Sequence, residues 1–364
     1  MNTAFRIAAS LLLATPLAWA QADAPAPSPK PVKTVKLAAV PLRSVIDGLS
    51  DGDARQALEL LRSKYVRSGA LDESALDRAT LQGLLERLGG GASIRSPKAD
   101  AETDSPFRSE ILDERIGYVR LGSLTKGHLA EFDAALGNFK AKKIESLILD
   151  LRATPLNSDF ELAAEVLNRL TPKGKMMFAV HRPSVKQERM YTSDRDPAFQ
   201  GVAVTLIHRE TAGAPEVIAA VLRAVGNALT VGQRTSGQAA EFVELPLRGG
   251  KVLRVAVAEV KLPQNFAVFP DGLKPDLPVE VSARDEEEVL KTGLEKGVGG
   301  LVYETERARM NEASLVAGTN PEIDAEEAAQ QGGDADAKAP LYDTVLQRAV
   351  DLVTTIRIFG GKAQ

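Results

Sequence analysis

The sequence predicts an α/β fold with mainly parallel, buried strands. Two short runs, Ser146-Leu-Ile-Leu-Asp-Leu151 and Val202-Ala-Val-Thr-Leu-Ile207, are apolar almost throughout. Such runs are what strands covered on both faces require. Amphipathic segments of helical period alternate with them, the arrangement that produces crossover connections. The chain has 364 residues, 44% of them hydrophobic, which is enough for a sizeable core.

Each element has its own signal. Ala57, Leu58, Leu60 and Leu61 recur at helical spacing, as do Leu81, Leu84, Leu85 and Leu88, so residues 41–91 predict a helical arm ended by Gly89-Gly90-Gly91. Residues 92–115 are largely polar and predict a linker, with no strand or helix expected before residue 110. A core follows over 116–282. It opens on the half-buried strand Ile116–Leu121 and a helix over Leu129–Phe139. After the strand at 146–151 come a helix over Phe160–Leu170 and a strand over Met176–Val180. The strand at 202–207 leads into a helix over Pro215–Val225, then a short strand over Ala228–Val231. Glu241–Leu247 and Val252–Leu262, joined through Gly249-Gly250, read as a hairpin. Residues 283–319 predict a charged helical extension. The acidic stretch 320–340 is expected to be a disordered linker, and residues 341–361 a last helix with Val345, Ala349, Leu352 and Ile356 on one face.

Composition excludes several functions. The absence of cysteine removes a disulfide scaffold, a thiolate metal site and a cysteine nucleophile. A net charge of −4 without a dense basic block argues against nucleic acid as a partner. The three histidines, His128, His181 and His208, are far apart in sequence, and no metal or cofactor is expected. His128 and His181 are expected at the surface. Residues 1–20 have a signal-peptide pattern: Arg6, an apolar stretch from Ile7 to Leu13, and Ala18-Trp19-Ala20 as a cleavage site. A mature chain starting at Gln21 is expected, in a bacterial periplasm or secreted, with no membrane span after cleavage. Residues 21–40, with Pro25, Pro27, Pro29 and Pro31, read as an extended tether.

Four segments then carry a resemblance. Ile116–Leu121 is similar to the strand that opens the core of the tail-specific, or C-terminal processing, serine proteases. Leu147-Ile-Leu-Asp-Leu-Arg152 with Pro155 resembles their LILDLRxNPGG segment. Val231-Gly-Gln-Arg-Thr-Ser-Gly237 resembles VGxxTFGKG, and Gly272-Leu-Lys-Pro-Asp276 resembles GIKPD. The resemblance implies a crotonase-like α/β core flanked by helical arms, with residues 92–115 standing where most members carry a PDZ domain.

The family's chemistry needs a serine nucleophile at the start of a helix and a lysine base. In the matching run, Thr211-Ala-Gly-Ala-Pro-Glu216, the nucleophile position falls on Gly213. The base position falls on Gln238, the assisting position on Phe242, and the oxyanion-turn position on Leu156 within Thr154-Pro-Leu-Asn157. Glycine offers no nucleophile, and an amide does not accept a proton at neutral pH. The resemblance therefore implies a protein without the dyad, binding unfolded or extended polypeptide or an active protease paralogue. A relocated site using Thr211 and His208, with Glu210 or Asp150, is the alternative hydrolase. Against it, Thr211 reads as the cap of the helix near Pro215 and His208 as a strand end. Ser236 reads as a turn residue, and Asp150 with Arg152 as a structural ion pair.

Overall fold

The computed structural model describes residues 42–66, 71–96, 104–226, 228–263, 266–302 and 341–360. The expected signal peptide, the tether, the acidic stretch 320–340 and the end of the 283–319 extension lie outside them. The chain divides into two compact units, residues 1–75 and 76–364.

In the first unit, α1 (Leu42–Asp47) and α2 (Asp51–Lys64) are separate helices. The Ser50 hydroxyl accepts the Asp53 N–H and starts α2, and Asp51 and Asp53 complement the positive helix end. Helix α3 spans Glu73–Leu88.

The second unit is built on two sheets. One contains β2 (Arg108–Leu112), β3 (Ile116–Arg120), β4 (Ser146–Asp150), β7 (Val202–Ile207), β8 (Leu229–Gly232) and β11 (Leu277–Pro278). Their order is β11-β8-β7-β4-β3-β2, parallel except for β2. The other sheet is antiparallel. Its strand β10 (Val252–Lys261) pairs with β1 (Ala92–Arg95), β9 (Ala240–Pro246) and β5 (Met176–Arg182), and β6 (Gln187–Thr192) pairs with β5. The expectation of mainly parallel strands thus describes the first sheet and not the second.

Period-two alternation explains why the parallel strands are apolar throughout. Leu147 and Leu149 of β4 enter one core with α4 (Lys126–Ala141), α5 (Phe160–Asn168) and α6 (Ala214–Ala224). Ile148, Val204, Leu206 and Val231 enter a second core, covered by Val345, Leu346, Ala349, Val350 and Val353. Those last residues belong to α8 (Thr344–Gly360), which follows α7 (Ala283–Lys296) in the described chain.

Two expectations are corrected here. Residues 92–115 are not a plain linker, because they contribute β1 and β2. Both are short edge strands held by a neighbour's ladder, β1 by β10 and β2 by β3, so neither needed a strong apolar pattern of its own. The helical extension expected over 283–319 is not one continuous helix: α7 ends at Lys296, where Gly297 turns to φ 90° and Gly299 and Gly300 follow.

Candidate active-site region

Strand β7 ends at Ile207 and α6 begins at Ala214, so residues 208–213 make a tight strand-to-helix turn. Gly213 is the residue before the helix, with φ 71° and ψ −124°. This geometry corrects the expected cap, since Gly213 and not Thr211 occupies it. The turn at 154–157 lies against the same point. Asn157 and Gly213 form a parallel bridge, and the Asn157 carbonyl accepts the Ala214 N–H at 2.7 Å. A Cβ on Gly213 would stand 2.3 Å from that carbonyl and 3.2 Å from Leu156 Cδ1. Leu156 is 46% exposed, so the turn position is also an apolar point on the surface.

Glu216, in the first turn of α6, organises the other half of the region. It is fully buried. Its carboxylate accepts the N–H groups of Gly213 at 2.9 Å, Gly237 at 2.7 Å and Gln238 at 2.7 Å, and the Thr235 hydroxyl. One side chain therefore fixes the 235–238 loop against the start of the helix. Burial raises the Glu216 carboxyl above its ordinary range, and the four donors offset part of that. The sequence signal was a lone acid three residues after a glycine, which does not reveal how many donors converge on it.

Gln238 and Phe242 both touch Arg254 of β10. The Gln238 Oε1 accepts from Arg254 Nη1 at 2.8 Å, and the guanidinium carbon lies 3.4 Å from the Phe242 ring centroid. Arg254 is only 8% exposed. No sequence motif singled it out.

His208 and Thr211 are brought together. The Thr211 hydroxyl oxygen accepts the His208 N–H at 3.0 Å and lies 2.7 Å from His208 Nδ1. Burial, with Arg152 nearby, lowers the His208 pKa to about 4, so the ring is neutral at neutral pH. The Thr211 hydroxyl is completely enclosed. Ser236 donates both its N–H and its hydroxyl to the Thr211 carbonyl, as a turn residue would. Glu210 is exposed. His128 and His181 are half-buried and not plainly at the surface; the His128 ring folds back onto the Ser123 carbonyl, and His181 lies within β5.

Asp150 and Arg152 form a buried ion pair, with Arg152 Nη2 at 2.8 Å from Asp150. Arg152 also binds both carboxylate oxygens of Asp343, at 3.0 and 2.7 Å, and Asp343 caps α8 through the Leu346 N–H. The Tyr118 hydroxyl donates to Asp150 at 2.7 Å. Burial pushes the Asp150 carboxyl up, but Arg152, Arg120 and that hydroxyl together hold it well below the ordinary range. Among the described residues no group of three or more His, Asp or Glu side chains could hold a metal ion. No helix of the described residues is long and apolar enough to cross a membrane.

Comparison with known proteins identifies this region. Residues 115–279 match the model of peptidase family S41. The segment is a peptidase S41 domain. Curated relatives include a carboxyl-terminal-processing protease of Synechocystis, 26% identical over 180 residues, covering 48% of this chain and 42% of that protein. The carboxy-terminal processing protease CtpA of Bacillus subtilis is 26% identical over 197 residues, covering 54% of this chain and 42% of that protein. The chain thus spans less than half the length of these relatives. Among solved structures, the photosystem II D1 C-terminal processing protease matches at 25% identity, over 55% of this chain and 51% of that one, with a TM-score of 0.40. The turn before α6, the 235–238 loop and the Arg254 contacts all fall within the S41 domain.

Proposed function

We propose that this S41 domain engages an extended or unfolded polypeptide, or a related active protease, without cleaving it, as part of an exported protein in the periplasm or outside the cell. One observation carries the reading. The backbone N–H groups at the start of α6 are already committed: Ala214 donates to Asn157 and Gly213 donates to Glu216. An acyl-transfer site needs such donors free to receive an oxyanion, and a nucleophile beside them. Position 213 supplies no side chain, and the Asn157 carbonyl occupies the space that one would enter. Position 238 holds an amide already bonded to Arg254. Strand addition gives affinity through main-chain hydrogen bonds and needs no catalytic residue.

The test pairs two measurements on the purified mature chain. Casein and tailed peptides should remain intact, and a fluorophosphonate probe should not label the protein. Fluorescent reduced and carboxymethylated α-lactalbumin should bind saturably. Cleavage of casein would overturn the reading, as would failure to bind either unfolded polypeptide or a co-purifying S41 protease.

The 2.7 Å approach of His208 to Thr211 favours a second reading, a hydrolase with relocated residues. It requires the enclosed Thr211 hydroxyl to become accessible. Loss of casein cleavage in Thr211→Ala, with folding intact, would establish it.

A further inference from the structure

Among the described residues Arg254 is a buried cation without a counter-charge. Among the described residues no carboxylate lies within ion-pair distance of it, and its one hydrogen bond is to the neutral Gln238. The acid directly across the ladder, Glu244, is paired instead with Arg95 of β1. Burial and the like charge of Arg95 together pull the Arg254 pKa down to about 10. Buried charges are ordinarily paired, because removing an ion from water without compensation is costly. The π face of Phe242 is a partial substitute for an anion.

The surroundings add a donor group and partly exposed side chains. With Oε1 turned to the guanidinium, the Gln238 NH2 group meets no acceptor among the described residues. Gln238, Ser236 and Phe242 are half-exposed, and Leu156 is exposed beside Gly213. A planar guanidinium presents parallel N–H groups that match the two oxygens of a carboxylate.

We infer that Arg254 and the Gln238 amide form a carboxylate-binding site, and that the carboxylate is carried by the polypeptide bound to this region, at its C-terminus or on an Asp or Glu side chain. The inference rests on the polypeptide-binding reading for the source of the carboxylate, and on Arg254 alone for the site. Position 238 then serves to receive an anion and not to take a proton.

The first experiment follows the melting temperature of the full chain in acetate at neutral pH, against chloride at equal ionic strength. A ligand that binds only the native state raises the melting temperature saturably, here by about 2–4 °C. Arg254→Gln should abolish the acetate-specific rise, and Arg254→Lys, which keeps charge but loses the fork, should keep less than half. Gln238→Glu places a carboxylate beside Arg254 within the protein itself. It should raise the melting temperature without ligand and remove the response to acetate, which keeps the test decisive if Arg254→Gln does not fold. No acetate-specific rise in the natural protein, or an undiminished rise in Gln238→Glu, would overturn the site.

The second experiment measures binding of one labelled unstructured peptide in three forms: free C-terminus, C-terminal amide, and amide with an added internal Glu. A loss of tenfold or more on amidation assigns the C-terminal carboxylate, and recovery by the internal Glu assigns the side chain. Equal binding of all three forms, unchanged in Arg254→Gln, would overturn carboxylate recognition and leave polypeptide binding standing. An acetate response with no peptide bound in any form would overturn polypeptide binding and leave the anion site standing.

Discussion

Asn157 and Ala214 are joined by a 2.7 Å hydrogen bond from the Ala214 N–H to the Asn157 carbonyl. The bond ties the turn after β4 to the first residue of α6. It uses a helix N-terminal donor that would otherwise be free, and it brings a carbonyl against the α-carbon of Gly213. The absence of a side chain at 213 and the close approach of the turn to it are therefore one structural fact.

Gly213→Ser should accordingly destabilise the protein. The backbone at φ 71° disfavours any side chain, and the new Cβ would meet the Asn157 carbonyl at 2.3 Å. A loss of about 2–4 kcal/mol is expected from backbone strain and overpacking. Urea denaturation measures it. The double variant Gly213→Ser, Gln238→Lys should remain without casein cleavage, and an unchanged urea midpoint in the single variant would contradict the argument.

Thr211→Ala should cost about 1–3 kcal/mol, because it leaves the His208 N–H and Nδ1 buried without their partner. Thr211→Ser should retain most of the stability, since the hydroxyl is what matters. Equal stability of all three proteins would show that the hydroxyl does no structural work.

Arg152→Met should be among the most damaging single changes. It would leave Asp150 and Asp343 buried and facing one another without their shared cation. Breaking a buried pair from one side typically costs about 3–5 kcal/mol. Because Asp343 also caps α8, limited proteolysis of the variant should cut that helix early. A variant as resistant as the natural protein would refute the role of this clamp.

The pH dependence should show two opposing slopes. His208 titrates near 6.5 when unfolded and about 4 when folded, so its neutral burial stabilises above pH 6.5 and is lost as pH falls towards 4. Glu286 of α7, buried near Arg152, Asp150, Asp343 and Arg209, is raised by that burial from 4.5 to about 7. Its contribution is complete below pH 4.5 and is lost as pH rises through 7. Between pH 4.5 and 6.5 the two nearly cancel. Glu286→Gln removes one of them, so its urea midpoint should rise with pH across that window relative to that of the natural protein. Parallel curves would refute the assignment.

The sequence alone determined the parallel sheet, because β4 and β7 are buried on both faces and must be apolar throughout. It determined α5 and α6, whose apolar faces repeat at helical period. It placed Gly213, Gln238, Phe242 and Leu156 on one ordered set of segments. Strands β1, β2 and β6 were not legible, since a short edge strand held by its neighbour's ladder needs no apolar pattern of its own. Only the tertiary structure decided what those site positions do. Glu216 gathers donors from positions 213, 235, 237 and 238. Arg152 meets Asp343 across 191 residues, and Arg254 reaches the loop residue Gln238 from β10. Such contacts depend on where separate elements converge, and burial then makes each unpaired charge or donor costly; neither quantity is written in local spacing.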